Sequence, residues 1–254
     1  MGLTIKSALP DSSISHFVHS FWMVENKTEK DIPSIVLPNG MVDLSLMKMK
    51  AANWEMIIRG IDTMPSQVTI TAGTILFSVG FKLLAVEYLL GNSVKDVLNE
   101  AHYMSNDFWQ FEAADMNNLE SFRNKATQKI KTISTENIDS RKKKLFELIY
   151  ASHGTTTVKE LSENVYWSSR QINRYFNQQF GISLKGYCNI LRFGSSFKNI
   201  SEGNLFPEQS FTDQTHFIKE IKKYSGVTPK ELSRNKDERF INMAAIKKLP
   251  SQNG

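Results

Sequence analysis

The chain has 254 residues, of which 41% are hydrophobic and 22% charged, as in a globular protein of one or two domains. No stretch approaches the roughly eighteen consecutive apolar residues of a membrane helix, and no basic segment followed by an apolar run opens the sequence. We therefore expect a cytoplasmic protein that does not contact a membrane. Its single cysteine, Cys188, excludes an internal disulfide and a cysteine-rich zinc site.

The charge of +5 is unevenly divided along the chain. Residues 1–140 hold 12 Lys+Arg and 16 Asp+Glu, whereas the remainder holds 19 and 10. The basic half predicts a polyanionic partner, because contacts from Lys and Arg to phosphates supply most of the sequence-independent affinity for nucleic acid. A solvated basic surface is the alternative that charge alone leaves open.

Residues 14–81 have the pattern of β-strands. Pro38-Asn39-Gly40 is a turn sequence, and the alternation of Val42, Leu44 and Leu46 with polar residues after it predicts a hairpin with one buried face. A second hairpin is predicted from residues 67–71 and 74–81 around Ala72-Gly73. The N-terminal half is therefore expected to be β-rich.

Helical patterns begin after this region. Short helices are predicted over residues 83–101, with Gly91 as a stop and Ser93 as a cap. An amphipathic helix is predicted over residues 115–133, either lying on the N-terminal sheet, which we prefer, or serving as a dimer helix. The polar segment 132–140 then reads as a linker, with the domain boundary near Ile138.

From Asp139 onward the chain reads as a series of short helices. The first is capped at Asp139 or Ser140 and ends before His153-Gly154. Thr157 and Glu160 form a capping box, and Ser168 and Gln171 repeat it at the start of a helix that ends at Phe180-Gly181. Two short capped helices joined by a tight turn are the outline of a helix-turn-helix.

The second of these helices has one apolar face and one polar face. Ile172, Tyr175 and Phe176 share the apolar face. The opposite face carries side chains that can bond to base edges: Arg170, Asn173, Arg174, Asn177 and Gln178. Such residues are also common on any solvated helix, but the basic surroundings favour a recognition helix.

A similar unit follows further along. A helix capped at Ser183 carries Cys188, which reads as a small buried hydrophobe. After it, a helix capped by Thr212 or Asp213 and stopped near Ser225-Gly226 exposes a polar and basic face: Gln214, Thr215, Lys219, Lys222 and Lys223. Two helix-turn-helix modules joined by a rigid helix could enter successive major grooves, about 34 Å apart.

These residues resemble the AraC/XylS family of bacterial transcription regulators over Leu145 to Leu232. The motifs that carry the resemblance are Ser168-x-x-x-Ile172-x-Arg174-x-Phe176-x-x-x-Phe180-Gly181-Ile182-Ser183, Tyr187 with Leu191-Arg192, Phe211-x-Asp213-Gln214-x-His216-Phe217 and Gly226-Val227-Thr228-Pro229. The resemblance implies sequence-specific binding of double-stranded DNA. The expected contacts are Ser169, Arg170, Asn173, Arg174, Asn177, Gln214, Thr215, His216, Lys219 and Lys222.

The sequence departs from the family's pattern at two places. The first turn has Asn164-Val165-Tyr166 where the family often has Gly, and Asn164 could supply a left-handed residue there. Only 17 residues separate Phe193 from Phe211, fewer than in the family, so that Leu205 to Gln209 stand where the first helix of the second module would be. The second module is therefore expected to be trimmed.

The N-terminal half looks like the sensor domain that precedes the DNA-binding part in some AraC-type regulators. Leu37 to Leu44, with Gly80-Phe81, carry this likeness. It implies an α+β protein: a β-rich, cupin-like sensor, effector or dimerisation domain over residues 1–138 and an all-α DNA-binding domain over 139–254. It leaves RNA polymerase, a small-molecule effector of unknown identity and a second copy of the chain open as partners.

Catalysis is not expected. His16 and His19 do not have the His-x-His spacing of cupin metal sites. Asp43 and His102 read as polar groups on a strand face or a helix surface. The sequence contains neither a phosphate-binding loop nor a nucleophile elbow. No cofactor, metal or catalytic residue is therefore predicted, and a fused small-molecule enzyme is disfavoured. The function expected is transcription regulation, and the alternative is a protein-interaction module that has weak or lost DNA binding.

Overall fold

A computed structural model of the chain describes residues 2–50, 52–91, 93–133, 138–206, 211, 213–235 and 238–249. The N-terminal part of these residues is dominated by strands, and everything after residue 138 is helical or connecting chain. The strands are β1 (Leu3–Ala8), β2 (Val18–Asn26), β3 (Ile32–Val36), β4 (Val42–Lys48), β5 (Glu55–Arg59), β6 (Ser66–Ile70), β7 (Ile75–Phe81) and β8 (Ala101–Met104). The expected α+β fold class is confirmed.

The strands form two antiparallel sheets. The larger has the order β1-β2-β7-β4-β5-β8, and the smaller consists of β3 and β6. Val68 and Ile70 of the small sheet join Trp22 and Val24 of the large one in a common apolar cluster. The side chain of Asn26 fastens the two sheets at their corner by donating to the carbonyls of Ile70 and Thr71.

Both predicted hairpins are wrong. β3 pairs with β6 and not with β4, and β7 pairs with β2 and β4 and not with β6. The turns themselves are present, with Gly40 at φ +76° and Gly73 at φ +72°. Each turn carries the chain from the small sheet into the large one, so that β4 is covered on both faces and Asp43 and Ser45 are buried.

The helices are α1 (Leu83–Leu89), α2 (Leu119–Lys131), α3 (Ser140–Ala151), α4 (Val158–Val165), α5 (Ser169–Phe180), α6 (Leu184–Ser195), α7 (Phe197–Ser201), α8 (Gln214–Ser225), α9 (Pro229–Arg234) and α10 (Ile241–Lys247). α2 lies on the large sheet, as preferred, with Phe122 packed against Phe21 and Phe77. The region 83–101 holds α1 and one 3-10 turn. His102 lies on β8 and not on a helix.

The predicted caps of the helical half are present. Asp139 caps α3, Thr157 and Ser168 each form a full capping box, Ser183 caps α6, and Asp213 caps α8. Each cap satisfies backbone N–H groups that would otherwise have no partner at a helix start. The other cap considered for α8, Thr212, and residues 134–137 of the predicted linker lie outside the described residues.

Two details of the helix-turn-helix modules differ from the expectation or refine it. The left-handed residue of the first turn is Tyr166, at φ +54°, and not Asn164, because α4 continues through the buried Val165. The helix that follows α6 is α7, which has only five residues. Of the segment 205–209, residues 207–209 lie outside the described range.

The last helix returns to the first strands. α10 packs on β1 and β3, with Ile241, Ala244 and Ala245 in one cluster with Ile5. The Ile35 N–H donates to the Arg239 carbonyl at 2.7 Å. A single apolar core also runs from the large sheet through α3 to α8. The boundary at residue 138 stays a prediction.

Candidate nucleic-acid interface

α5 is held rigidly at both of its ends. The Gln171 N–H donates to Ser168 Oγ at 3.2 Å, and the Ser168 N–H donates to Gln171 Oε1 at 2.9 Å. Gly181 ends the helix in the left-handed conformation, at φ +70°. The predicted apolar face is buried, and Phe180 extends it. The polar face is therefore presented on a fixed frame.

The exposed face of α5 carries two cations. Ser169, Arg170, Arg174 and Asn177 are exposed. Within the described ranges, neither the Arg170 nor the Arg174 side chain takes part in a hydrogen bond or ion pair. A guanidinium that has no partner in the fold is available for an intermolecular contact, and its two parallel donors match guanine or phosphate.

Asn173 has a more structural position. Its Nδ2 donates to the Ser169 carbonyl at 3.0 Å, and its Oδ1 accepts from the Leu184 N–H at 3.3 Å. The side chain is half-buried and ties α5 to the start of α6. Asn177 donates in turn to the Asn173 carbonyl at 2.9 Å. Base contacts from either amide would compete with these bonds.

α8 repeats the arrangement of α5, with three lysines and one glutamate where α5 has two arginines. The His216 N–H donates to Asp213 Oδ1 at 2.8 Å, and Gly226 ends the helix at φ +76°. The exposed positions include Thr215, Lys219 and Lys222. Neither lysine forms an ion pair within the described part of the chain, whereas Lys223 pairs with Glu220 and packs over Tyr224.

Two of the predicted contacts on α8 are partly engaged within the fold. Gln214 Nε2 donates to the Leu205 carbonyl at 3.0 Å. The His216 ring is half-buried beside Phe211, and its Nδ1 is buried without a partner among the described residues. Thr215, Lys219 and Lys222 are therefore the predicted contacts on this helix that remain exposed and unengaged in the described fold.

The back of α5 is tied to the N-terminal half. The Tyr175 hydroxyl donates to Glu87 Oε2 of α1 at 3.1 Å, and the Lys142 ammonium donates to the same carboxylate oxygen at 2.7 Å. The Val94 N–H donates to the Gln179 carbonyl at 2.9 Å, and Ser93 Oγ reaches the same carbonyl at 3.0 Å. The N-terminal half thus supports the helix that carries Arg170 and Arg174.

A second link joins α3, α6 and the turn at residue 40. The hydroxyls of Tyr150 and Tyr187 lie 2.7 Å apart, and that of Tyr187 donates to the Gly40 carbonyl at 2.9 Å. Tyr150 accepts from the Leu83 N–H at 2.8 Å. Burial raises the pKa of both phenols far above the ordinary value, so both stay neutral. No sequence pattern predicts this network, because its members are far apart in the chain.

A cavity of about 500 Å³ lies between the two halves. His19 and Lys82 line it from the N-terminal half, and Tyr150, His153 and Lys198 line it from the other. Lys82 Nζ donates to the Ser15 carbonyl at 2.6 Å, and burial lowers its pKa. Burial and the Lys82 charge lower the pKa of His19 to about 4. The described residues around this cavity include no Asp or Glu.

Cys188 is buried on α6 as predicted, and burial raises the pKa of its thiol to about 11. Within the described ranges, no three His, Cys, Asp or Glu side chains come together as a metal site would require. In the same ranges, none of the helices combines the length and the apolar character needed to cross a membrane.

Residues 6–102 match the model of a domain of unknown function, DUF6597, which is known in AraC-type regulators. No curated protein sequence matches the chain. Among solved structures, the chain is similar to ToxT from Vibrio cholerae O395, with 13% identity, a TM-score of 0.40 and coverage of 90% of this chain and 95% of that one.

Two ligand-bound ToxT structures are similar to the chain to the same degree. One is ToxT from Vibrio cholerae O395 bound to (E)-4-(8-methylnaphthalen-1-yl)but-3-enoic acid, with 13% identity, a TM-score of 0.42 and coverage of 91% and 98%. The other is unsaturated fatty acid bound wild-type ToxT from strain SCE256, with 12% identity, a TM-score of 0.38 and coverage of 91% and 94%. ToxT is an AraC-family regulator.

Proposed function

We propose that the chain is a cytoplasmic, sequence-specific DNA-binding transcription regulator of the AraC/XylS type, which reads the major groove with α5 and α8 and is modulated by its N-terminal domain. The observation that carries the proposal is the exposed face of α5. Arg170 and Arg174 stand on it without partners in the described fold, on a helix whose two ends are fixed.

The surrounding charges support a DNA partner. Phosphate contacts from the basic half would supply sequence-independent affinity, and Lys219 and Lys222 on α8 are exposed without ion pairs in the described fold. The contacts proposed for base edges are Arg170, Asn173, Arg174 and Asn177 on α5, with Ser169 near the backbone, and Gln214, Thr215 and His216 on α8. The match of residues 6–102 to a domain known in AraC-type regulators agrees with this assignment.

The test begins with selection from a pool of random duplex DNA at two salt concentrations. A regulator enriches a motif and loses affinity steeply as salt rises. On the selected site, Arg174→Ala should weaken binding by about 1–3 kcal/mol, roughly 5- to 150-fold. Lys6→Ala, which removes one exposed charge from β1, is the matched control and should leave affinity within about twofold, because Lys6 lies in the N-terminal sheet, outside the proposed contacts.

The alternative is a protein-interaction module with weak or lost DNA binding. The shortness of α7 favours it, because α7 has five residues before α8 whereas α4 has eight before α5. Weak binding of DNA, without enrichment of a motif at either salt concentration, would support this alternative. A motif that spans one groove rather than two would mean that only the first module reads DNA.

The cavity between the halves is the proposed site of an effector. Its lining is positive, so an anion of about the size of the cavity is favoured over a cation. Asn199→Trp would fill this space, since Asn199 lines it and is half-buried. Native mass spectrometry should show a small molecule on the wild type and none on the variant. Equal occupancy of the two proteins would remove the cavity from the proposal.

A further inference from the structure

Tyr166 occupies an unfavourable position in the turn between α4 and α5. Its φ is +54°, in the left-handed region, where a side chain with a Cβ costs about 1–2 kcal/mol relative to glycine. Its ring is 91% exposed, and within the described residues the side chain takes part in no hydrogen bond or ring contact. The fold therefore gains nothing from this tyrosine that would offset its strain.

The turn that carries Tyr166 is nevertheless well fixed. The Tyr166 N–H donates to the Ser162 carbonyl and caps α4. Ser162 Oγ donates to the Trp167 carbonyl at 2.7 Å, and the Trp167 N–H donates back to the Ser162 carbonyl at 3.3 Å. These bonds fix the backbone of the turn, so that little backbone entropy is lost when the Tyr166 side chain binds a partner.

The neighbouring Trp167 ring anchors the turn to α3 and α5. The Arg141 guanidinium lies over it, 5.2 Å from the centroid, and the Tyr175 ring lies 5.5 Å away on α5. Arg141 begins the basic run that ends at Lys144, and Lys143 and Lys144 are exposed. The Trp167 contact thus places the turn beside Arg141, and Arg170 follows Tyr166 four residues further along the chain.

We propose that Tyr166 is a DNA-contacting residue that packs against a deoxyribose and donates its hydroxyl to a phosphate at the rim of the groove that α5 enters. This inference rests on the proposed function. The occupant is taken to be duplex DNA because Arg141 lies over the neighbouring Trp167 ring, Arg170 follows Tyr166 four residues on, and Ser168 caps the recognition helix. Tyrosine hydroxyls are common donors to phosphates, and such contacts position a protein without reading sequence.

The experiment compares stability and DNA affinity in the full chain. Tyr166→Gly should unfold at the same or a higher denaturant concentration, because the left-handed strain is relieved. Its affinity for the selected site should fall at least about fivefold, which is about 1 kcal/mol. On a DNA site with one altered base pair, the substitution should lower affinity by the same factor, because a phosphate contact does not read the sequence. The slope of affinity against salt should stay unchanged, since no charge is removed.

Three further variants separate the possible roles of the ring. Tyr166→Asn places a residue that tolerates the left-handed region at this position, and its DNA affinity should match that of Tyr166→Gly. Tyr166→Phe should lose only the share of affinity that the hydroxyl supplies. Tyr103→Ser removes a tyrosine that is 69% exposed on β8 and should bind DNA like the wild type.

Unchanged DNA affinity of Tyr166→Gly would overturn the inference while leaving the proposed function intact. A fall confined to transcription assays with RNA polymerase, at unchanged DNA affinity, would assign the ring to a protein partner and also overturn it. Lower stability of Tyr166→Gly would give the ring a structural role. Absence of DNA binding by the wild type would remove the proposed function itself, together with the inference.

Discussion

Tyr175 and Glu87 join the two halves of the chain through a hydrogen bond of 3.1 Å from the phenol to the carboxylate. Glu87 also holds the Lys142 ammonium, so a residue of α1 is linked to the back of α5 and to the start of α3. The adjacent carboxylate and burial keep Tyr175 neutral by raising its pKa far above the usual value. A shift of α1 would therefore displace or strain α5, the helix that presents Arg170 and Arg174.

We expect Tyr175→Phe to lower the free energy of unfolding by about 1.5 kcal/mol, because it removes a hydrogen bond to a charged group. Urea unfolding measures this loss, with Tyr103→Phe, on an exposed strand, as the control. In a double-mutant cycle with Glu87→Gln, the two losses should be less than additive, since each variant breaks the same bond. Strict additivity would show that the two residues do not act together.

Gly40 should tolerate no side chain. A Cβ at this position would lie 2.8 Å from Leu191 Cδ2 and 3.2 Å from Tyr187 Cε2, and the backbone is left-handed. Gly91 is the matched control, with φ +67° and no atom within 4 Å of an added Cβ. Gly91→Ala should cost about 1–2 kcal/mol of stability from strain alone. Gly40→Ala should cost roughly 1 kcal/mol more from overpacking, as measured by chemical denaturation. Equal losses of stability in the two variants would show that the Leu191 side chain moves aside at no cost.

Asp43 gives the stability a defined dependence on pH. Its burial between the sheets raises its pKa to about 6, against the opposing hydrogen bond from Trp22 Nε1 at 3.1 Å. The folded state therefore binds more protons than the unfolded state between about pH 4 and 6, and this contribution to stability is lost as pH rises through that window.

Asp43→Asn removes the titrating carboxyl, and with it this pH dependence of stability, while keeping an oxygen that can accept a hydrogen bond from Trp22. The stability of the variant relative to the wild type should rise by up to about 3 kcal/mol from pH 4 to pH 7, since two pKa units correspond to that amount. Denaturant unfolding at several pH values measures it. The opposing titration of His19 is common to both proteins and cancels in the difference. A difference that does not vary with pH would contradict the assignment.

The helical half should depend on the N-terminal half for its stability. A fragment of residues 139–254 would expose Tyr187 and Leu191 where they meet Gly40. It would also deprive α10 of β1 and β3. We expect this fragment to be readily digested in limited proteolysis, and to regain protection when residues 1–138 are supplied as a second chain. A fragment as resistant alone as in the full chain would establish an independent domain and support the predicted boundary.

Local signals explain what could be predicted from the sequence. Capping boxes such as Thr157 with Glu160, and the terminal Gly181, are contacts between neighbours in the chain, so that spacing alone predicts them. Strand pairing is not local. The turns at Gly40 and Gly73 are compatible either with a hairpin or with a passage between two sheets, and only burial of the polar face of β4 decides between them.

The candidate site shows the same division. The exposure of Arg170 and Arg174 follows from helical periodicity, whereas the second role of Asn173 depends on where α6 begins. The strain at Tyr166 could not be foreseen, because Asn164 is by residue type the better left-handed residue. It arises because the burial of Val165 sets the end of α4 one residue later.

The return of α10 to the first strands constrains the order in which the protein can fold. Ser7 Oγ donates to the Ala245 carbonyl, and the Leu37 N–H donates to Asn242 Oδ1, across 238 and 205 positions of sequence. During synthesis, β1 and β3 are complete long before α10 leaves the ribosome, so the edges that α10 contacts stay uncovered until then. Contacts of such long range are formed slowly, because each closes a loop of more than 200 residues. The docking of α10 on β1 and β3 therefore comes late in maturation, and a ribosome that stops short of residue 241 releases a protein with an open sheet edge.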